Sequence, residues 1–360
     1  MKKPNAKLES TDLFSVLKDQ FSTHINLARI RLMAMFIQSL CKVQTVNFEK
    51  IANAFDTKSL ASSSLRRVQR FIAGFSLDSD LIARFIFALL PEKTCLRLTI
   101  DRTNWKFGEV DINIFMLGVT YQGVAFPLLF TMLSKRGNSN CEERIALVNR
   151  FIRLFGKECI GSLVADREFV GKDWINFLNN NNISYHIRIR NNFKVFIPQK
   201  NKELKASWLF SNLKKGQFCN YSKIVKIKNE MCYISGCKLV NDFLIIISFN
   251  KPQDAQEDYR QRWQIEMCFK AMKSSGFDME TTHLNQIKRI EKLLLLVSIA
   301  FVWCYAVGIY LHENIKKIKV KKHGRKAKSI FKYGLDFIAN SLLNAKNQTD
   351  INVFNFLSCT

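Results

Sequence analysis

The chain lacks the cysteine spacing of a disulfide scaffold or a zinc site. Its ten cysteines (Cys41, Cys95, Cys141, Cys159, Cys219, Cys232, Cys237, Cys268, Cys304 and Cys359) are scattered over 360 residues, with no C-x-x-C pair and no histidine at zinc-ligand spacing. No apolar stretch follows the charged opening M-K-K-P-N-A-K-L-E-S, so no secretory signal is visible. The expectation is a cytoplasmic protein with free, mostly buried thiols. Acids are scarce: 30 Asp+Glu against 55 Lys+Arg leave a formal charge of +25 and a pI near 9.7. Such an excess calls for a polyanionic partner, nucleic acid first and an anionic membrane surface second. Apolar residues at 48% and charged residues at 24% are ordinary, which excludes wholesale disorder, collagen and coiled coil. The length points to two or three domains.

Residues 1–90 read as helical. Leu13, Val16, Leu17 and Phe21 fall at helical spacing, as do Ile30, Leu32, Met33, Phe36 and Ile37. The run S-S-S-L-R-R-V-Q-R-F-I opens with cap-type serines and places Arg66, Arg67 and Arg70 on one helix. Clustered arginines near a helix N-terminus suit phosphate contact, and they equally suit a solvated basic face. From Leu96 the pattern changes. L-R-L-T-I-D reads as a strand ending in an acid, and two further strand-like runs follow it. A helix over Cys141–Phe155, a short strand G-S-L-V-A-D, a helix centred on Trp174–Leu178 and the alternating I-S-Y-H-I-R-I-R complete a mixed sheet with helices packed on it. Residues 192–252 hold only strand-like runs and read as a β-rich insertion. A long helix is expected from Asp254 or Ala255, with helices continuing to the C-terminus.

Two acids, Asp101 and Asp166, sit at the ends of apolar strands, where a rigid element holds them within reach of a metal. Taken singly, each is better explained as a turn-initiating residue, and Asp111 is read that way. The helix D-Y-R-Q-R-W-Q-I-E-M-C-F-K-A-M-K adds a third element. With steps of about 100° per residue and Tyr259 at zero, Arg262, Glu266 and Lys273 fall near −60°, −20° and −40°. These four polar residues share one face, bordered by an apolar stripe of Ile265, Phe269 and Met272.

The spacing Y-x2-R-x3-E-x6-K, with D-R-T-N-W-K-F-G around Asp101 and A-D-R-E-F-V-G-K-D-W around Asp166, resembles the DDE transposases of insertion-sequence family 4. The signature stands as Tyr259, Arg262, Glu266 and Lys273, and the resemblance runs from about Leu96 to Leu296. It implies an α/β fold: an RNase H-like mixed sheet with helices on both faces, a β-strand insertion between the second Asp and the Glu, and helical N- and C-terminal regions. The expected organisation is a DNA-binding region at 1–90, a catalytic core at 91–191 and 253–311, the insertion at 192–252, and a basic helical region at 312–360.

By the same resemblance, Asp101, Asp166 and Glu266 are the catalytic and metal-holding residues. An all-carboxylate set favours Mg²⁺, with Mn²⁺ as a substitute, and two ions are expected. The implied activity is cut-and-paste transposition: cleavage of element ends, a hairpin intermediate and joining to target DNA. Arg262 and Lys273 would clamp phosphates, and Tyr259 could hydrogen-bond a phosphate or stack near a displaced base. The implied partners are double-stranded DNA (terminal inverted repeats and target) and a second copy of the chain in a synaptic homodimer. The N-terminal helices would read the terminal repeats through Arg66, Arg67 and Arg70. For the signature residues the bland alternative is salt bridging with Glu257, Asp258 or Asp278. Trp105 and Trp208 are read as core residues, and His283 as structural.

One stretch argues for a different class. Residues 293–311 run for 19 residues without a charge, and residues 312–330 follow with 8 Lys+Arg against 1 acid. Length and flank fit a membrane anchor with a basic tail. The Trp, Cys, Tyr, Ser and Gly within the stretch favour a helix buried in a large domain, followed by a segment suited to tracking phosphates, with no membrane. A third reading is a DNA-binding remnant that has lost catalysis, and the presence of all three acids speaks against it.

Overall fold

A computed structural model describes residues 12–107, 110–322, 324–344 and 351–358. The N-terminal opening and Cys359 lie outside the described residues. The chain divides into two compact units, one of Glu92–Asn104 and Asn113–Cys268, the other of Met1–Pro91, Trp105–Ile112 and Phe269–Thr360.

Five helices begin the chain: α1 (Leu13–Phe21), α2 (Leu27–Val43), α3 (Phe48–Asn53), α4 (Ala61–Gly74) and α5 (Ser79–Ala88). Asp12, Asn26 and Asn47 each accept a backbone N–H of the first turn and so fix where α1, α2 and α3 start. Helix α4 departs from expectation. Leu60 stands at its N-cap without a side-chain cap bond, and the serines lie inside the first turn. Ser64 is buried, so the helix begins early enough to place that residue on its packed side.

The sheet then assembles from β1 (Leu96–Phe107), β2 (Val110–Tyr121), β3 (Val124–Leu133), α6 (Cys141–Phe155), β4 (Ile160–Ala165), α7 (Lys172–Asn180) and β5 (Tyr185–Ile189). The insertion supplies β6 (Lys194–Ile197), β7 (Lys202–Lys205), β8 (Phe218–Asn220), β9 (Val225–Ile227), β10 (Glu230–Lys238) and β11 (Phe243–Phe249). Strand order is β3-β2-β1-β4-β5-β11-β10-β9-β6-β7, with β8 on β10. The leading part of that order, with β4 parallel to both β1 and β5 and with β2 antiparallel to β3, is an RNase H-like core with helices on both sides. The insertion does not form a separate sheet, because β11 pairs antiparallel with β5 along Ile245–Phe249 and carries the core sheet onward.

The expected long helix is broken in two, α8 (Ala255–Gln261) and α9 (Trp263–Lys273), with Arg262 at the junction. The charge-free stretch lies in α10 (Ile287–Tyr310), which is buried from Lys292 through Ile309. It is long and apolar enough to cross a membrane, and 94% of its most apolar window is buried against the protein's own residues. After a π-helical turn at Leu311–Ile315, the described chain has no helix until α11 (Ile330–Leu343), so among the described residues the region 312–360 is only partly helical. Consecutive lysines without acids to pair along a helix face give the non-helical part little helical support.

Helices α10 and α11 meet through glycines. A Cβ on Gly334 would stand 1.8 Å from the Cys304 carbonyl oxygen, and one on Gly308 would stand 2.1 Å from that of Ile330. Both obstacles are helix backbone and cannot swing aside. Gly334→Ala is therefore expected to cost about 2–3 kcal/mol through overpacking, read as a lowered thermal midpoint. An unchanged midpoint would show that the helices can separate without loss.

Candidate active site

Register brings the first two acids together. Ile100 on β1 and Ala165 on β4 are parallel partners, and Asp101 and Asp166 are the next residue on each chain. The two acids thus start from neighbouring positions at about the 5 Å spacing between strands. Asp101 is not at a strand end, as the sequence implied. β1 continues to Phe107, and it is the parallel pairing with β4 that stops at Ile100. After Asp166 the chain turns, with the Phe169 N–H on the Asp166 carbonyl at 3.0 Å. Arg144 of α6 secures that turn by donating to the Glu168 carbonyl at 3.1 Å.

Helix α8 and the start of α9 bring the remaining groups. Arg262 is 7% exposed, and its guanidinium spans two carboxylates: Nη1 lies 3.3 Å from Asp101 Oδ2 and Nη2 lies 2.5 Å from Glu266 Oε1. The Tyr259 hydroxyl donates to Asp166 Oδ1 at 3.2 Å. Asp101, Asp166 and Glu266, separated by 65 (166 − 101) and 100 (266 − 166) residues, are therefore all tied to the adjacent Tyr259 and Arg262. Burial pushes the Asp101 carboxyl up to about 6. The Arg102 N–H, at 2.7 Å, and the Arg262 guanidinium oppose the rise, while the charges of Glu168 and Glu266 add to it. Tyr259 is pushed up to about 12, first by burial and then by the charge of Asp166, so it is a neutral donor.

Two participants escaped the sequence reading. Glu168 places a fourth carboxylate near Asp101. Its Oε2 lies 3.4 Å from Arg102 Nη2, and its buried Oε1 has no hydrogen-bond partner. Asp258, 8% exposed, anchors α8 to three adjacent strands. Arg97 of β1 holds its Oδ1 through Nε at 2.8 Å and Nη2 at 2.5 Å. The Ser162 hydroxyl of β4 donates to its Oδ2, and His186 Nε2 of β5 lies 3.6 Å from the same oxygen. The His186 ring is completed by Ser248 of β11 at 2.9 Å from Nδ1. Burial holds His186 down at about 4 against the pull of Asp258, so the ring is neutral.

Lys273 pairs with Glu280 at 2.9 Å and lies 5.3 Å from the centre of the Trp105 ring. Arg262 itself takes Asp101 and Glu266 as partners in place of the salt bridges anticipated with Glu257, Asp258 or Asp278. On α4, Arg66 and Arg70 are exposed and Arg67 is half-buried. Arg70 lines a cavity of about 440 Å³ with Phe48, Gln69, Leu284 and Arg289, and His283 lines a neighbouring one of about 300 Å³. Trp208 is 62% exposed, contrary to the core role expected of it, because it stands in a short turn of the insertion.

Among the described residues, no three His, Cys, Asp or Glu side chains are close enough, as they stand, to hold a metal ion together. Arg262 lies between two of the acids. The donor set nonetheless suits a hard divalent cation: it is carboxylate only, and Asp101 is raised first by burial and further by the charges of Glu168 and Glu266.

The family model described as "Transposase DDE domain" matches residues 135–303. The matched stretch takes in Asp166, Tyr259, Arg262, Glu266 and Lys273, and Asp101 precedes it. The match supports a transposase of the DDE class. No curated protein sequence matches the chain. Among solved structures, the cryo-EM structure of the piggyBac transposase synaptic complex with hairpin DNA is similar at 13% identity and a TM-score of 0.44, covering 96% of this chain and 80% of that one.

Proposed function

We propose that this chain is a DNA transposase of the insertion-sequence family 4 type, cleaving the ends of its element and joining them to target DNA. The observation that carries the reading is the convergence of Asp101, Asp166 and Glu266 on Tyr259 and Arg262. Asp101, Asp166 and Glu266 would hold Mg²⁺ or Mn²⁺, two ions by family resemblance. Such ions, when bound, supply Lewis-acid activation of a water or 3′-hydroxyl and neutralise charge on the leaving oxygen.

The chain's own residues then have definite tasks. Arg262, released from its carboxylates, offers a fork of N–H donors to a non-bridging phosphate oxygen. Tyr259, neutral across the physiological range, keeps Asp166 oriented and can donate to the DNA backbone. Lys273 is assigned to a phosphate. Arg66, Arg67 and Arg70 on α4 are assigned to the terminal inverted repeats, with the two copies of the chain pairing two ends. A hairpin at the element end follows if the freed 3′-hydroxyl attacks the opposite strand and displaces the flanking DNA. Residues 1–90, 91–191 with 253–311, 192–252 and 312–360 serve as end-binding, catalytic, insertion and basic C-terminal regions of a nucleoid-associated cytoplasmic enzyme.

The test is incubation of the full chain with end-bearing and scrambled duplexes, with Mg²⁺ or with a chelator. Nicking confined to end-bearing DNA and abolished by the chelator is expected. Binding without nicking under every condition would overturn the enzyme in favour of a DNA-binding remnant.

A further inference from the structure

The lysine-rich stretch after α10 is folded, not merely solvated. Val320 and Lys326 form an antiparallel bridge. The Lys321 N–H donates to the Arg325 carbonyl and the Ala327 N–H to the Lys319 carbonyl, each at 2.8 Å. The turn closes through the Gly324 N–H on the Lys321 carbonyl at 2.8 Å, with Gly324 at φ +82°, a conformation that glycine adopts without strain. The ribbon is fastened to the end of α10 by His312. Its Nδ1 accepts the Ile318 N–H at 2.9 Å, and its Nε2 lies 3.3 Å from Lys326 Nζ.

Alternation along the strands sorts the cations. Val320 and Lys326 share one face, the face that Lys326 turns toward His312. Lys319, Lys321 and Arg325 share the opposite face and are exposed. Residues 312–330 carry 8 Lys+Arg against 1 acid, Glu313, and Lys328 pairs with Asp336 of α11 at 2.7 Å. Even with both acids matched to a cation, a large positive surplus remains. A two-stranded ribbon that concentrates like charge on one face is stabilised by a polyanion with regularly spaced charges.

We propose that residues 319–322 and 324–327 form a basic ribbon that contacts duplex DNA through its phosphates, a site distinct from the arginines of α4 and from the acids of the candidate active site. The proposal rests on the transposase reading for the identity of the polyanion. Its chemistry confers affinity without sequence preference, since backbone contacts position a protein on DNA and carry no base information.

The test compares the wild-type full chain with the triple variant Lys319→Gln, Lys321→Gln, Arg325→Gln and with Gly324→Val, which strains the turn and keeps the charge. Binding to end-bearing and scrambled duplexes is measured from about 50 to 200 mM salt. Removing one cation from a phosphate lowers the slope of log K against log salt by about 0.9, so the triple variant should give up as much as about 3 in slope, equally on both duplexes. Gly324→Val should weaken binding with the charge intact, and thermal midpoints should match wild type. An unchanged slope and affinity in the triple variant would overturn the ribbon as a DNA contact. So would loss of binding to phosphatidylglycerol vesicles with duplex binding retained. Failure of the wild type itself to bind duplex would instead overturn the transposase reading.

Discussion

Asp101→Asn is expected to abolish DNA cleavage while leaving the protein more stable at pH 7 than wild type. The loss of activity follows from removing one of three carboxylates assigned to a divalent cation, with an expected fall of about a thousandfold or more, equivalent to roughly 4 kcal/mol of barrier. The gain in stability follows from the raised carboxyl. The unfolded chain releases this proton near 3.8 and the folded chain near 6. Between those values the folded state holds more protons than the unfolded, so stability falls as pH rises through that window and stays lower above it. Asparagine has no proton to lose, and it can still accept the Arg102 N–H. It gives up the charge facing Arg262, so the net gain at pH 7 is about 1–2 kcal/mol, or a few degrees in the thermal midpoint. Mg²⁺ should raise the midpoint of wild type and leave that of Asp101→Asn nearly unmoved. Equal midpoints at pH 7, or cleavage surviving in the variant, would remove Asp101 from the site.

How far the site could be read from the residues depends on what each signal measures. Apolar runs that close on Asp101 and Asp166 are local patterns, and the Ile100–Ala165 register converts those two acids into neighbours. Which strands pair is not a local property, so the β11–β5 pairing that fuses the insertion to the core was invisible. The helical wheel placed Tyr259, Arg262 and Glu266 correctly as a group but could not show the break at Arg262. That break interrupts the helix at one residue whose backbone stays helical, so the wheel still holds across it. Glu168 was passed over because it stands two residues beyond Asp166 in a turn, where acids are common. Asp258 did leave a signal: on the same wheel it falls near −100°, within the apolar stripe of Ile265 and Phe269. A carboxylate on a core-facing stripe demands buried partners, and Arg97, Ser162 and His186 supply them.

That anchor carries the second large effect. Asp258→Ala removes the group that ties α8 to β1, β4 and β5, and leaves Arg97, the Ser162 hydroxyl and His186 without their shared acceptor. Breaking a buried pair by deleting one partner costs about 3–5 kcal/mol, and Arg97, a third exposed, recovers part of that from water, leaving about 2–4 kcal/mol. Because Tyr259 is the next residue and Arg262 lies one turn on, the same change should loosen Asp166, Asp101 and Glu266 together. Cleavage should therefore fall even under conditions where the variant stays folded. Asp258→Asn, which keeps an acceptor for Ser162, should lose less stability. The histidine in the anchor gives a separate readout. The unfolded chain takes up its proton near 6.5 and the folded chain only near 4, so stability is lost as pH falls through that interval. His186→Gln should flatten that part of the acid slope, measured as thermal midpoint against pH. A wild-type midpoint in Asp258→Ala would show that α8 is held by its apolar contacts alone, and the convergence of the three acids would then need another cause.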